Sequence, residues 1–361
     1  MCNYCKGEYM MIQEKRRIEW IDMAKGWGML LVILGHIGDL GEYAFFKIWF
    51  FSFHIPLFFF LSGYVFRDTD RFSVFLKKKL RSIIIPYFCL GIPMVLFQLI
   101  WDLRNGVLTY ASGMDLVTGI FIQKRRWTIW FLACLFLLNI LFYLLKKAVK
   151  KSCWLAVCAV AAAVIGALYY RFGGKALPWD FDACFMALPF FFAGYYYKEK
   201  HEQIDKFFSK KYVIALAALP FLAVNCALVF LNLKITGVWF NMYSSNYGCE
   251  PLTYIAAFAG IGFMICVSKL VTIGLIRYIG ENSILYMAWQ ETIMVPIAEK
   301  CLLVLCSVLK ISYDSIHILL HYAFVLVIIV ALITLCNIII SRTGLRFMVG
   351  KRKKSTEPYH K

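Results

Sequence analysis

Two histidines stand in long apolar stretches of the sequence. His36 ends the stretch GMLLVILGH, and His54 lies in the following stretch, FFSFHIPLFFFLSGYVF. An imidazole takes up and releases protons near neutral pH, which makes histidine the side chain most often used as a general base. At membrane depth it needs a polar partner or a water-filled cavity. The pair therefore predicts proton-transfer chemistry, with His36 as the catalytic base and His54 as a second catalytic residue that holds or assists it.

His54 also has a structural interpretation, because Pro56 follows it by two residues. The proline ring removes a backbone donor and kinks or opens a helix at that point, so the imidazole is equally suited to bond a backbone carbonyl there. The turn GDLGEYA between the two stretches is short, which makes their helices antiparallel neighbours. At a rise of about 1.5 Å per residue, we expect His36 about 6 Å and His54 about 15 Å below the outer surface, lining one cavity.

Asp22 and Lys25 share one helical stripe with His36, since a helix turns by about 100° per residue. His36 lies about 24 Å along the helix from Trp20, so the two charged residues belong near the opposite membrane surface. They are expected either to form an interfacial ion pair at i, i+3 or to have a functional role beside the substrate.

Four basic residues stand at the entrance to the third apolar stretch, FLKKKLRSIIIPYF: Lys77, Lys78, Lys79 and Arg81. Such a cluster usually sets only the orientation of a membrane protein. It also suits a polyanionic donor such as coenzyme A, whose phosphates need cationic groups where they dock. Lys78, Lys79 and Arg81 are therefore expected to bind the donor, with Arg81 pointing inward.

The stretch QKRRWTIWFL places Lys124, Arg125 and Arg126 directly before Trp127 and Trp130. One interpretation is an interfacial anchor with its aromatic belt. The other is a carbohydrate site, because sugar CH faces stack on aromatic rings and sugar hydroxyls bond to guanidinium groups. On that interpretation, Arg126, Trp127 and Trp130 contact the acceptor.

Membrane helices must position these residues. The chain has 361 residues, of which 61% are hydrophobic and 17% are charged, and its apolar runs match the length of about 20 residues that crosses a bilayer. We predict an all-α polytopic bundle of about ten transmembrane helices. They lie near residues 20–38, 45–66, 83–101, 127–145, 153–170, 181–197, 212–231, 252–270, 284–305 and 317–340. The ninth contains Gln290, Glu291 and Glu299, which a lipid-facing helix avoids, and Glu291 is expected near the substrate.

The net charge of +18 is distributed in a way that argues against nucleic acid as a partner. With the N-terminus inside, 28 of the 39 lysines and arginines fall in the loops and tails on that side, and 8 fall in the opposite loops. This bias predicts that both termini are cytoplasmic and that basic loops lie against anionic membrane lipids. The predicted domains are a cytoplasmic segment over 1–17, a transmembrane domain over 18–341 and a basic cytoplasmic tail over 342–361.

The sequence predicts no metal site. Cys2 and Cys5 lack the second pair of ligands that a zinc site needs. His317 and His321 are four residues apart, but the sequence shows no carboxylate beside them within the predicted span. Since the chain has no soluble stretch long enough to fold alone, we expect its chemistry within or at the edge of the bundle.

Six motifs follow one another along the chain: RRIEWIDMAKGWGMLLVILGH, FSFHIPLFFFLSGYVF, FLKKKLRSIIIPYF, RWTIWFL, ALPFFFAGYYYK and IGENSIL. In this order they resemble the motifs of acyltransferase-3 proteins, and more closely those of the branch called fucose 4-O-acetylase and related acetyltransferases. The resemblance extends over about residues 16 to 340. It implies a ten-helix enzyme, here expected in a bacterial plasma membrane, that moves an acetyl group from cytoplasmic acetyl-CoA to a hydroxyl of a glycan or similar acceptor.

The resemblance also implies roles for single residues. His36 matches the essential histidine at the end of the family's first helix, and His54 matches the histidine of its FHxPLFF motif. Arg17 and Asp22 match the charged positions that open that helix. Arg81 falls in the motif where the family often has Arg-x-x-Arg.

The chain departs from the family pattern at three places. Lys78 or Lys79 occupies the earlier position of the Arg-x-x-Arg motif. Trp289 and Gln290 stand where related sequences often have a histidine, and WFLACLF lacks the glutamate of the VExQFY stretch found in glycan-modifying branches. These departures bear on the donor contact and on the choice of substrate.

The residues and the resemblance together predict a membrane-bound O-acyltransferase. Acetyl-CoA is expected to dock at the basic cluster at the entrance to the third predicted span. His36 then removes the proton of an acceptor hydroxyl. A transient acetyl-histidine is an alternative route. A carrier or flippase with a histidine proton relay is the alternative function, and a lipid-binding scaffold is a third.

Overall fold

The structure is a computed structural model that describes residues 18–38, 41, 44–69, 71–313 and 316–351, leaving out the side chain of Phe207. The predicted N-terminal segment, which includes Arg17 and the pair Cys2 and Cys5, lies outside the described residues, as does the chain beyond residue 351.

Helices make up almost the whole of the described chain. Its residues contain no β-strand, although Asn241 and Asn246 form an isolated bridge. The α-helices are α1 (Glu19–His36), α2 (Ala44–Phe51), α3 (His54–Tyr64), α4 (Phe72–Lys79), α5 (Ile85–Arg104), α6 (Tyr110–Ile122), α7 (Trp130–Ala148), α8 (Ser152–Arg171), α9 (Phe181–Glu199), α10 (His201–Phe207), α11 (Lys211–Thr236), α12 (Glu250–Leu270), α13 (Gly274–Glu281), α14 (Ser283–Trp289), α15 (Val295–Leu309) and α16 (Ile318–Arg342).

Eight helical stretches of the described chain are long and apolar enough to cross a membrane, and each overlaps a different predicted span. They are Ala44–Tyr64, Phe72–Arg104, Trp130–Ala148, Ser152–Arg171, Lys211–Thr236, Glu250–Leu270, Ser283–Leu309 and Ile318–Arg342. Helices α1 and α9 coincide with the other two predicted spans, but each contains three charged residues. The all-α, polytopic membrane bundle is confirmed, while the number of ten crossings and the cytoplasmic termini stay predictions.

The stretch of residues 102 to 126, which lies between the third and fourth predicted spans, contains the helix α6. A capping box starts this helix, because the Thr109 hydroxyl accepts from the Ser112 backbone N–H and the Ser112 hydroxyl accepts from the Thr109 backbone N–H. This part of the chain is therefore folded against the bundle, where Gly91 of α5 packs close to Ile120 of α6.

Within the described residues, three of the long helical stretches are interrupted. The second predicted span is divided between α2 and α3 at Ser52 and Phe53, just before Pro56. Two π-helical turns, Leu80–Ile84 and Gln290–Met294, each precede a proline-containing helix start. A proline has no N–H to bond the carbonyl four residues earlier, so the helix widens or breaks before it.

The segment after α16 returns to the bundle. Residues Gly344–Val349 form a 3₁₀ helix that packs on α5, and Gly350 lies in left-handed conformation close to Ser82. The part of the predicted basic tail that the structure describes is therefore packed rather than extended into solvent.

Reciprocal glycines allow α3 and α9 to pack closely. A methyl group on Gly63 would overlap the carbonyl oxygen of Phe191, and one on Gly194 would overlap the carbonyl oxygen of Phe60. Small residues at such contacts let two helix backbones approach each other in a membrane. The contact fixes α3, the helix that begins with His54.

Substituting Gly194→Ala is expected to separate α3 from α9 and to destabilise the protein by about 1–3 kcal/mol. The control is Gly274→Ala, because nothing lies within 4 Å of the added methyl group at that position. Thermal unfolding of the purified protein in detergent measures both variants. Equal melting temperatures for the two would contradict the proposed packing.

Candidate active site

A cavity of about 700 Å³ lies inside the bundle, and both His36 and His54 line it. It extends along α1 from Lys25 to His36, which are about 16 Å apart along the helix axis. Further wall residues come from the π-helical turn before α15, the start of α7, the loop between α11 and α12, the junction of α13 and α14, and the C-terminal segment. The two histidines are thus brought to one cavity, as the sequence predicts, while their catalytic roles stay predictions.

His36, the last residue of α1, faces Glu291 in the π-helical turn. The His36 Nδ1 atom lies 3.2 Å from the Glu291 Oε1 atom. The two side chains are 23% and 42% exposed, so solvent or a substrate in the cavity reaches both. A carboxylate at Nδ1 holds the ring proton on that nitrogen and leaves Nε2 as the basic nitrogen.

His54 is buried, with 2% of its surface exposed. Its Nδ1–H donates to the carbonyl oxygen of Phe50 at 2.8 Å, as the structural interpretation of this histidine predicts. Because a carbonyl only accepts, the bond fixes the proton on Nδ1 and leaves Nε2 as an acceptor in the neutral ring. His54 therefore has a structural bond on one nitrogen and a position in the cavity wall.

Phe51 separates and orients the two imidazoles. Its ring is in edge-to-face contact with His54 at a centroid distance of 4.8 Å and with His36 at 6.2 Å. Trp239 packs on the same phenyl ring at 4.9 Å. The break in the helix at Ser52 and Phe53 allows Phe51 and His54 to face the cavity together.

Aromatic side chains form the wall beside the histidines. Trp127, Trp130, Trp239 and Tyr243 all line the cavity, and Tyr243 packs edge-to-face on Trp130 at 6.1 Å. Burial raises the pKa of the Tyr243 phenol, and the negative charge of Glu291 raises it further. The phenol is therefore protonated at neutral pH and able to donate a hydrogen bond.

Arg126 does not line the cavity with these aromatic residues. Its guanidinium group pairs with the Asp115 carboxylate, donates to the Asp115 carbonyl oxygen at 2.9 Å, and lies 5.4 Å from the centre of the Trp127 ring. The guanidinium group thus supports Trp127 from behind, rather than facing a ligand in the cavity as the sequence interpretation expected.

A buried ionic network holds the turn that carries the tryptophans. Gln123, Arg125 and Trp127 all have left-handed backbone angles, a conformation that costs energy for residues other than glycine. The Arg125 backbone N–H donates to Asp180 at 2.7 Å, and its guanidinium pairs with Asp182. These bonds keep the strained turn in place, which positions Trp127 and Trp130 in the cavity wall.

The end of the cavity away from His36 is basic. Lys25, Lys79 and Lys351 line it, together with Glu281 and Asn282. The structure thus places one residue of the predicted donor cluster, Lys79, on the cavity wall.

Lys78 and Arg81 are exposed and lie outside the lining. The expectation that Arg81 points inward is therefore wrong. The π-helical turn over Leu80–Ile84 changes the direction of the side chains that follow Lys79, which the α-helical spacing does not predict.

Asp22 is buried in α1 and lies outside the cavity lining. Its backbone carbonyl is in close contact with Gly280 of α13, where a methyl group would overlap it. The structure thus places Asp22 at the contact between α1 and α13, near the basic end of the cavity and away from His36.

A second histidine and carboxylate pair lies outside the cavity. The His321 Nε2 atom is 2.9 Å from the Glu299 Oε2 atom, and the Tyr313 hydroxyl donates to the same carboxylate at 2.8 Å. The sequence shows no carboxylate beside His317 and His321 within their own predicted span, and the partner Glu299 reaches His321 from the neighbouring helix α15. The described residues contain no group of three or more potential metal ligands.

The sequence did not single out the residues that join distant segments of the chain at this site. Asp180 and Asp182, in PWDFDACF, gave a usable signal, since carboxylates at the edge of an apolar span need a cation and Arg125 was available. Trp239 and Lys351 gave no such signal, because an aromatic residue in a loop and a lysine in a basic tail do not by themselves indicate a site.

Fold and site together define a polytopic membrane protein with a histidine and carboxylate pair in a cavity between helices. Residues 18–342 match the acyltransferase-3 family, described as an acyltransferase domain. The chain belongs to this family, because the match extends over nearly its whole length. Among curated proteins and among solved structures, nothing matches the chain. The protein is therefore an integral membrane acyltransferase.

Replacing Arg125 with Met is expected to leave Asp182 buried without its cation and to destabilise the protein by about 3–5 kcal/mol. The neighbouring Lys124→Met variant is the control, since Lys124 is exposed and its loss should change stability by less than about 0.5 kcal/mol. Thermal unfolding followed by tryptophan fluorescence measures both. A variant without Arg125 that unfolds like the wild type would show that the network does not hold the turn.

Proposed function

We propose that this acyltransferase moves an acetyl group from acetyl-CoA to a hydroxyl of a carbohydrate, with His36 as general base. The observation that supports this most is the contact between His36 and Glu291 in the wall of a cavity whose other end is basic. The reaction is proposed for a bacterial plasma membrane, on a polysaccharide or other glycan of the cell envelope. Membership of the acyltransferase-3 family favours this function over the carrier or flippase.

In the proposed step, the His36 Nε2 atom takes the proton of the acceptor hydroxyl as the oxygen attacks the thioester carbonyl. A C–O bond forms and the C–S bond breaks, so the acetyl group becomes an ester on the acceptor. The coenzyme A thiolate leaves and takes the proton back from the imidazolium. Glu291 stabilises the transient positive charge on the ring and keeps Nε2 directed at the acceptor.

His54 is proposed to assist from the wall of the same cavity. Its Nδ1–H is engaged by Phe50, so the Nε2 atom is the nitrogen that accepts a hydrogen bond from the acceptor or from a bridging water. Phe51 holds it at a fixed angle to His36 through its contacts with both rings. We therefore assign His54 the role of positioning the acceptor and His36 the proton transfer.

The aromatic wall supports a carbohydrate acceptor. Trp127, Trp130 and Trp239 supply flat apolar faces for sugar CH groups, while Tyr243 and Asn241 supply polar groups that bond hydroxyls. The motif resemblance to the fucose 4-O-acetylase branch suggests a 6-deoxyhexose among the acceptors to be tested first.

The His36→Ala variant removes the proposed base and is expected to lower acetyl transfer by at least about 100-fold. The Glu291→Gln variant removes the carboxylate that orients this base and is expected to lower acetyl transfer by about 10²- to 10⁴-fold. Membrane vesicles that contain the protein are given acetyl-CoA labelled in the acetyl group and a panel of methyl glycosides of hexoses and 6-deoxyhexoses. Label that mild alkali releases from the glycosides measures O-acetylation.

The matched control is Glu299→Gln, which breaks a histidine and carboxylate pair outside the cavity and should leave kcat unchanged. Wild-type vesicles that label no glycoside would count against the proposed acceptor class. Full activity of the His36→Ala variant would remove the histidine from the mechanism.

The Trp239→Ala variant is expected to raise the KM for the glycoside about fivefold to tenfold, since it removes one stacking face and the support of Phe51. Trp239→Phe keeps an aromatic face and should have a smaller effect. Trp154→Ala is the control, because Trp154 is 61% exposed on α8 and lies outside the cavity lining. An unchanged KM in Trp239→Ala would place the acceptor elsewhere.

A further inference from the structure

The C-terminal segment brings Lys351 to a fixed place at the basic end of the cavity. The Lys351 backbone N–H donates to the carbonyl oxygen of Arg346 at 3.2 Å, and Gly350 adopts the left-handed angle that closes this turn. The Arg346 guanidinium in turn donates to the carbonyl oxygen of Ser341 at the end of α16. Lys351 is thus carried by a folded turn.

The Lys351 side chain reaches the junction of α13 and α14. Its Nζ donates to the Asn282 side-chain oxygen at 2.5 Å, and the Asn282 amide nitrogen donates to the Tyr278 carbonyl oxygen at 2.8 Å. Lys351 and Asn282 both line the cavity. The C-terminal segment therefore completes the cavity wall between α13 and the start of α5.

Lys79 lies on the adjoining part of this wall. Its ammonium group is 5.7 Å and 5.5 Å from the ring centres of Phe66 and Phe75, which hold the side chain in place. Ser82, less than one turn further along, lies close to Gly350, so the walls that carry Lys79 and Lys351 meet. Lys25 lines the same end from α1.

We propose that Lys351 and Lys79 bind phosphate groups of the acyl donor, so that the C-terminal segment is part of the donor site. The inference rests on the proposed function. Acetyl-CoA has several phosphates at one end of a long uncharged arm, and the thioester is at the other end. Ammonium groups pair with phosphate oxygens through charge-assisted hydrogen bonds, which are stronger than bonds between neutral groups. Lys25, at the same end of the cavity, lies about 16 Å along α1 from His36, which is the order of separation that the arm of the donor has to span.

Lipid headgroups contain the same phosphate chemistry, so the experiment must distinguish the two sources. Binding of free coenzyme A to the full chain is measured by titration calorimetry in nanodiscs of zwitterionic lipid. Lys351→Met is expected to weaken binding by about tenfold or more, and Lys79→Met by a similar factor. Lys351→Arg keeps the charge and should retain most of the affinity.

The matched control is Lys206→Met, which removes an exposed lysine of α10 outside the cavity lining. In steady-state transfer, Lys351→Met should raise the KM for acetyl-CoA and leave the KM for the glycoside unchanged. A thermal melt checks that each variant is folded.

If the Lys351→Met variant binds coenzyme A as tightly as the wild type does, this inference is overturned and the proposed function is left intact. The inference is also overturned if the Lys351→Met variant keeps its affinity for coenzyme A and loses only the thermal stabilisation that anionic lipid gives the wild type. Wild-type protein that neither binds coenzyme A nor transfers acetyl groups would instead count against the proposed function itself.

Discussion

The cost of an ionisable group inside a membrane protein constrains the whole site. His36 and Glu291 lie in helical stretches, where each needs a partner or water. Both are satisfied at once, because they contact each other and face a cavity of about 700 Å³. The pair is 255 residues apart in sequence, so the bundle must hold α1 against the π-helical turn to keep it. The helix packing that holds α1 against this turn is therefore also what keeps His36 in contact with Glu291.

Three irregular stretches of backbone border this cavity. The break before His54, the π-helical turn that contains Glu291 and the left-handed turn before Trp127 each place a side chain in the wall. In a membrane, non-helical backbone is tolerated where protein or a water-filled cavity satisfies its polar groups. Prolines cause two of these interruptions, and the buried pair of Arg125 and Asp182 maintains the third.

Much of the fold could be predicted from the sequence, because membrane helices follow from local apolar length. The two histidines could also be predicted to share a cavity, since a short turn joins their helices. The partner of His36 could not, because Glu291 comes from a helix far along the chain. Arg81 was expected to point inward because it stands at the entrance to the third predicted span, but it lies in a π-helical turn and outside the cavity lining. The sequence contains a signal for the buried pairing of Arg125 with Asp182, but it does not indicate that Glu291 pairs with His36 or how the π-helical turn redirects Arg81.

The shape of the cavity bears on the order of events in the proposed reaction. A donor whose phosphates stay at the basic end can extend its thioester toward His36, since both ends belong to one cavity along α1. Trp127, Trp130 and Trp239, the proposed acceptor contacts, line the same cavity. Both substrates can then be bound at once, and the histidine needs only to move a proton. In this proposed order both substrates are bound before the acetyl group moves, so the transfer proceeds without an acetyl-histidine.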